Sequence, residues 1–147
     1  MISVILPTYN EARNIRRIIP AISKVFQDRS MEGEVIVVDD DSPDGTASEA
    51  LGLADSYPVK VRVRKKDRGL SRAVIEGFGL ARGEVCVVMD ADLSHPVEKI
   101  PDMVQPILEG RCDATVGSRY VAGGGAQNWP LVRRIVSKGA GLLAKGV

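Results

Sequence analysis

Glu34-Val35-Ile36-Val37-Val38-Asp39-Asp40-Asp41 runs four aliphatic residues directly into three carboxylates. An unbroken apolar run of this length reads as a strand covered on both faces, the mark of a parallel sheet with helices on each side. The pattern recurs outward from this stretch. Ile2 to Leu6 is an apolar strand that Pro7 is expected to stop, and Val85 to Met89 is another, ending at Asp90. Val59 to Arg64 alternates apolar and basic residues, as a partly exposed strand does. Ala114 to Val116 begins a short fifth strand before Gly117.

Helical patterns lie between the strands. Asn14 to Phe26 sets Ile15, Ile18, Ile19, Ile22, Val25 and Phe26 on one stripe despite Pro20. Thr46 to Tyr57 follows the turn Ser42-Pro43-Asp44-Gly45, and Leu70 to Arg82 and Val97 to Leu108 complete the alternation. Strand, helix, strand, helix implies an open, mostly parallel α/β sheet with right-handed crossovers. Ligands of such sheets bind beyond the carboxyl ends of the strands. Three of those ends carry polar chemistry: Pro7-Thr8-Tyr9-Asn10-Glu11, Asp39-Asp40-Asp41 and Asp90-Ala91-Asp92.

Composition bounds the reading. The 147 residues suit one domain with a sizeable core, and 44% hydrophobic with 27% charged residues argue against disorder. A net charge of +1 gives no global pull toward nucleic acid. The two cysteines, Cys86 and Cys112, match neither a disulfide scaffold nor a zinc spacing, so a reducing compartment is the default. Cys86 reads as a buried small hydrophobe. No stretch approaches the roughly 18 apolar residues that span a bilayer, and the amino terminus lacks a signal-peptide pattern.

Asp90 and Asp92, separated by one residue after an apolar strand, can both reach a hard divalent cation if the chain turns there. A solvated turn or a helix cap is the structural alternative. Three adjacent carboxylates at Asp39 to Asp41 repel one another unless donors or cations meet them. One of them can accept hydrogen bonds from a nucleobase, or the run is an exposed turn. The first turn lacks Gly-x-Gly-x-x-Gly, which disfavours an ordinary dinucleotide cofactor. Tyr9 can stack on a base or simply pack. Arg119, Arg133 and Arg134 suit phosphate oxygens, or serve solubility. His95, the only histidine, reads as a local hydrogen-bonding residue. Leu131 to Val147 interleaves apolar and basic residues, fitting either a membrane-interface helix or one packed on the sheet.

Taken in order, these segments resemble the GT-A-fold, family-2 glycosyltransferases, and within them the dolichol-phosphate mannose synthase group. The resemblance rests on Pro7-Thr8-Tyr9-Asn10-Glu11, Val37 to Thr46, Gly69-Leu70-Ser71, Asp90 to Pro96, Gly117-Ser118-Arg119-Tyr120 and Asn128-Trp129-Pro130 with Arg133. It covers nearly the whole chain. It implies a GT-A (Rossmann-like) fold and transfer of mannose from GDP-mannose to dolichyl or polyprenyl phosphate with inversion. It implies that Pro7, Tyr9, Glu11, Val38, Asp39 and Asp40 line the nucleoside end. Asp90, Ala91 and Asp92 would line the diphosphate end, with Asp90 and Asp92 holding Mg²⁺ or Mn²⁺. Ser94 falls where many relatives place a glutamine near the metal, which makes it a third metal candidate by position. Asp92, Arg119 and Arg133 would carry catalysis, the two arginines gripping the acceptor phosphate. The glycine run Gly123-Gly124-Gly125 looks like the family's mobile loop.

The expected partners are therefore a nucleotide sugar and a polyprenyl phosphate lipid, without nucleic acid, at the cytoplasmic face of a membrane. Residues 1–147 are expected to be the nucleotide-sugar-binding catalytic domain, with the carboxyl-terminal acceptor part missing. Two alternatives stay open: a UDP-glucose or other UDP-sugar donor, and a non-catalytic nucleotide-sugar-binding module completed by a partner. A nucleotidyltransferase is disfavoured by the absence of a glycine- and lysine-rich phosphate loop at the first turn.

Overall fold

The structure, a computed structural model, describes residues 1–118. Met1–Thr115 pack as one unit; of a second, Val116–Val147, only the first three residues are described. The elements alternate as β1 (Ile2–Thr8), α1 (Ala12–Asp28), β2 (Gly33–Asp39), α2 (Thr46–Gly52), β3 (Val59–Val63), α3 (Leu70–Leu80) and β4 (Val85–Val88). A 3₁₀ turn at Val97–Lys99 then leads into α4 (Ile100–Leu108). The four strands form one parallel sheet in the order β3-β2-β1-β4. This is the open α/β sheet that the alternation of patterns implies.

The two central strands, β1 and β2, are buried on both sides because they are apolar at odd and even positions alike. Strand β4 is buried on one face and opens on the other at Cys86 and Val88. Ile2, Val4 and Leu6 of β1 join Val35, Val37, Val85 and Val87 on one face, under Ile15, Ile18, Ile19, Ile22 and Phe26 of α1. Ile5, Ile36 and Val38 face the other way, under Ala73 of α3. Helix α3 lies close because it presents Gly77 to the sheet: a Cβ there would stand 2.4 Å from Ile5 Cγ2. The edge strand β3 alternates and is half-buried to exposed, as its sequence suggests.

Several boundaries differ from the sequence reading. Pro7 does not stop β1; it pairs with Val38 and the strand continues to Thr8. Beyond Ile5, β1 is paired with β2 alone, since β4 reaches only to Val88, and a residue without an N–H is tolerated where one side of a strand is open. Helix α2 ends at Gly52 rather than Tyr57, giving way to turns. Among the described residues there is no strand at Ala114 to Val116; Thr115 instead donates its hydroxyl to Met103 O, and Val116 is exposed. Cys86 is half-buried rather than buried.

One charged group is locked into the amino-terminal edge of the sheet. Glu34, 3% exposed, accepts from the Ser3 hydroxyl (2.9 Å), the Arg82 N–H (2.8 Å) and guanidinium, and pairs with Lys60 (3.1 Å). Burial alone would raise its carboxyl, but these donors outweigh it and bring the pKa down to about 2. A carboxyl depressed on folding stabilises the native state above its unfolded value of about 4.5, and that contribution is lost as pH falls toward 2. The contribution is on the order of 2–3 kcal/mol. Glu34→Gln is expected to lower unfolding free energy at pH 7 by about 2 kcal/mol and to flatten its fall between pH 4.5 and 2. Urea titrations at stepped pH check both; an unchanged acid limb in the variant would remove Glu34 from this role.

Candidate functional site

The strand order reverses between β1 and β4: the chain steps outward from β1 to β3, then returns to β1's other side. Open α/β sheets bind ligands outside the carboxyl ends at such a switch point. There the structure brings together all three polar strand ends singled out from sequence. Asp40 N–H donates to Thr8 O (3.0 Å), and Met89 N–H donates to Ile5 O (3.2 Å), so the exits of β2 and β4 flank that of β1. Two inter-strand steps, about 10 Å, separate the β2 exit from the β4 exit. A ligand lying along this rim can touch both.

The backbone is strained on this edge. Asn10 (φ 61°), Asp41 (φ 56°), Asp67 (φ 53°) and Leu93 (φ 61°) adopt left-handed conformations in the loops that follow β1, β2, β3 and β4. A leucine there costs roughly 1–2 kcal/mol, so the Asp92-Leu93-Ser94 turn is held by its surroundings against its own preference. The first two loops hold each other. Ser42 Oγ accepts from Asn10 N–H (2.9 Å), Thr46 Oγ1 from Glu11 N–H (2.8 Å) and Asp44 Oδ2 from Ala12 N–H (3.0 Å). Side chains after β2 therefore meet the amides that open α1, which fixes the path of Tyr9 to Ala12.

The three adjacent carboxylates avoid one another by taking different partners. Asp39 is fully buried and accepts from Thr8 Oγ1 (3.0 Å), Ser42 N–H (2.8 Å) and Ser42 Oγ (2.5 Å). Asp40, 8% exposed, accepts from Arg64 Nη1 (2.7 Å) and Gly69 N–H (2.6 Å). Asp41 pairs with Arg68 at 2.9 Å. Arg64 was not visible as a site residue in the sequence, where it stands as the last basic member of an alternating strand.

Asp90 and Asp92 differ from these. Both are exposed, and among the described residues neither pairs with a lysine or arginine. Asp92 Oδ1 accepts from Ser94 N–H (2.9 Å). Partial burial pushes its carboxyl up, but hydrogen bonds from Ser94 and the nearby His95 hold it below the ordinary value. Ser94 thus supports Asp92. His95 accepts a long hydrogen bond (3.4 Å) from Asp90 N–H through Nδ1, the local role read for it from sequence.

These hard carboxylate oxygens at a strand end fit Mg²⁺ or Mn²⁺, which take one or two carboxylates and complete their shell with water and phosphate. Among the described residues no three His, Cys, Asp or Glu side chains gather closely enough to hold an ion alone. A cation held by Asp90 and Asp92 would keep positions that water or the oxygens of a diphosphate can fill.

The remaining residues divide clearly. Tyr9 is 54% exposed at the switch point, its ring open to a ligand. Pro7 and Glu11 are half-buried beside it, Glu11 accepting from Asn14 Nδ2 (2.6 Å). Val38 and Ala91 are buried in the two cores, so their side chains offer a ligand no surface. Arg119, Arg133, Arg134, the glycine run at 123–125 and the segment 131–147 lie outside the described residues.

Comparison with known proteins agrees with this geometry. The model of glycosyl transferase family 2 matches residues 3–145. The chain is 51% identical over 139 residues to the dolichol-phosphate mannosyltransferase of Pyrococcus furiosus, a match covering 95% of this chain and 39% of that protein. Across three curated relatives of that description it spans 39% to 54% of their length. Among solved structures, it is similar to the mannosyltransferase PcManGT of Pyrobaculum calidifontis in complex with GDP-Man and Mn²⁺. That match has 34% identity and a TM-score of 0.58, covering 67% of this chain and 29% of the other. The glucosyl-3-phosphoglycerate synthase of Mycobacterium tuberculosis, in complex with Mn²⁺, UDP and glucosyl-3-phosphoglycerate, matches with 29% identity and a TM-score of 0.60. It covers 74% of this chain and 39% of the other.

Proposed function

The chain belongs to glycosyl transferase family 2, and from that premise we propose that it binds GDP-mannose with Mg²⁺ or Mn²⁺ and transfers mannose to a dolichyl or polyprenyl phosphate, with inversion. The observation that carries this reading is the pair of exposed carboxylates, Asp90 and Asp92, without a basic partner among the described residues, beside the exposed ring of Tyr9. The donor follows from the 51% identity to a dolichol-phosphate mannosyltransferase and from the GDP-Man held by PcManGT.

In this reading each residue has a simple task. Tyr9 stacks on the base, and Pro7, Glu11 and the Asp39–Asp40 loop shape the nucleoside end. Asp90 and Asp92 hold the cation, and Ser94 keeps Asp92 oriented. When bound, the metal neutralises charge on the diphosphate that leaves. A lipid monophosphate has a second pKa of about 6 and is largely ionised near neutral pH, so it attacks the anomeric carbon without a general base. The work left to the protein is to position two anionic reactants and to screen them from each other. That accounts for a site built of aspartates and arginines.

Arg119 and Arg133 are assigned to the acceptor phosphate. Arg133→Ala is then expected to leave Mn²⁺–GDP affinity within about twofold while lowering kcat/KM for the lipid phosphate roughly ten- to a hundredfold. Equal damage to donor and acceptor would remove the distinction. Such an acceptor would set the site at a membrane surface, in this reading at its cytoplasmic face. Among the described residues no helix is long and apolar enough to cross a membrane.

The test is transfer of isotope-labelled mannose from GDP-mannose to a short polyprenyl phosphate, alongside a thermal-shift panel with Mn²⁺ plus GDP-mannose, UDP-glucose or UDP-GlcNAc. Selective stabilisation by GDP-mannose with labelled lipid product is expected. Preferential stabilisation by a UDP-sugar would overturn the donor, and donor binding without transfer, in the longest natural form of the protein, would overturn the activity.

A further inference from the structure

We propose that Arg64 is a positioning residue of the donor site, a buried latch that fixes the Asp40 carboxylate and the 65–69 loop as one wall of the nucleoside end. This rests on the donor-binding reading above and assigns a role to a residue outside it. Arg64 directly follows β3 and is 5% exposed, an unusual place for a guanidinium unless its donors are used. They are. Nη1 reaches Asp40 Oδ1 at 2.7 Å and Gly69 O at 3.3 Å, Nη2 donates to Asp67 O, and Nε pairs with Glu76 Oε2 at 3.0 Å. Gly69 N–H closes the ring by donating to Asp40 Oδ2 at 2.6 Å.

The consequence is geometric. Asp40 meets one protein donor on each oxygen, so the plane of its carboxylate is set, and each oxygen keeps a lone pair for a ligand. Residues 65–69 are otherwise exposed and carry Lys65, Lys66 and Arg68, which would repel one another. Apart from the Arg68–Asp41 ion pair, this loop is tied to the sheet through Arg64 and through Asp40 itself. A planar fork with five donors can hold a carboxylate and two carbonyls at once; an ammonium cannot reproduce that geometry. Arg64 therefore acts on a nucleoside through Asp40 and the loop, without touching it. The diphosphate end, two strands away at Asp90 and Asp92, is independent of the latch.

That independence supplies the test. Binding of Mn²⁺–GDP and of Mn²⁺–pyrophosphate is measured by calorimetry for the wild-type chain, Arg64→Lys and Glu76→Gln, with the unfolding midpoint of each. Arg64→Lys is expected to weaken GDP at least about tenfold while leaving pyrophosphate within about twofold. Glu76→Gln, which removes the charge of the helix-side partner of Arg62 and Arg64, is expected to lower the midpoint but leave both affinities within about twofold. An Arg64→Lys protein that binds GDP like wild type, or that loses GDP and pyrophosphate equally, overturns the proposal. If Arg64→Lys does not fold, hydrogen exchange on the wild-type chain decides instead: Mn²⁺–GDP should slow the Gly69 amide at least about tenfold where Mn²⁺–pyrophosphate does not. Equal protection by both, or by neither, overturns it. A wild-type chain that binds pyrophosphate but not GDP would overturn the donor reading itself, a failure visible before any variant is made.

Discussion

Asp92→Ala is expected to remove Mn²⁺-dependent GDP binding, with affinity falling at least about 100-fold. Loss of a group that merely orients a ligand costs a metal site 10–100-fold, and a direct ligand in a two-carboxylate site should cost no less. The fold should barely register the change. Asp92 is exposed, and among the described residues its side chain bonds to Ser94 with His95 nearby, so the stability cost is about 1 kcal/mol or less. Calorimetric titration of GDP with and without Mn²⁺, together with thermal unfolding, separates the two effects. Unchanged Mn²⁺-dependent affinity in a folded variant would falsify the assignment of Asp92. Metal-free GDP binding serves as the internal control, since Tyr9 and the Asp40 wall are untouched.

The strained Asp92-Leu93-Ser94 turn sharpens this expectation. Leu93 at φ 61° keeps its half-buried side chain packed against the core while the residues on either side face out. The carboxylate of Asp92 is thus set by a backbone that the core holds in place, so an alanine leaves the turn standing and takes away only the oxygens.

How much of this was legible in the sequence depends on how local the cause is. β1, β2 and β4 were readable because each is a nearly unbroken apolar run, a signal contained within the strand, although only β1 and β2 are buried on both faces. The convergence of Tyr9, Asp40, Asp90 and Asp92 on one edge followed from parallel topology, with no long-range contact to guess. Arg64 was not readable, since its burial is decided by Asp40 and Glu76 in other elements. In sequence it is one more basic residue after Lys60 and Arg62. The separate partners of Asp39, Asp40 and Asp41 were hidden largely for the same reason: the repulsion was foreseeable, but apart from the local Ser42 the donors come from β1, the end of β3 and the 65–69 loop. Ala114 to Val116 misled because its β-branched residues suit a strand, whereas among the described residues no strand pairs with them and Thr115 bonds to Met103 O.

The two edges of the sheet separate stability from chemistry, and Gly83→Ala tests that division from the opposite side to Asp92→Ala. A Cβ at Gly83 would lie 2.6 Å from Ser3 N, 2.8 Å from Ile2 C and 2.9 Å from Met1 O. All three are backbone atoms of the β1 entrance, so no rotamer change relieves the clash. Moving them disturbs the Gly83 N–H to Ser3 Oγ bond (2.9 Å) and, through Ser3, the buried Glu34. Overpacking costs 1–3 kcal/mol where side chains can yield; here the backbone must shift and hydrogen bonds are lost with it, so a cost of about 4 kcal/mol is expected. The unfolding midpoint should fall by roughly 10 °C or more. Below that midpoint, Mn²⁺–GDP affinity should stay within about twofold of wild type, because the rim lies at the other end of each strand. A Gly83→Ala protein as stable as wild type would show that β1 has slack at its entrance. One that keeps its stability but loses GDP would show that strain crosses the sheet, and the division between its edges would not hold.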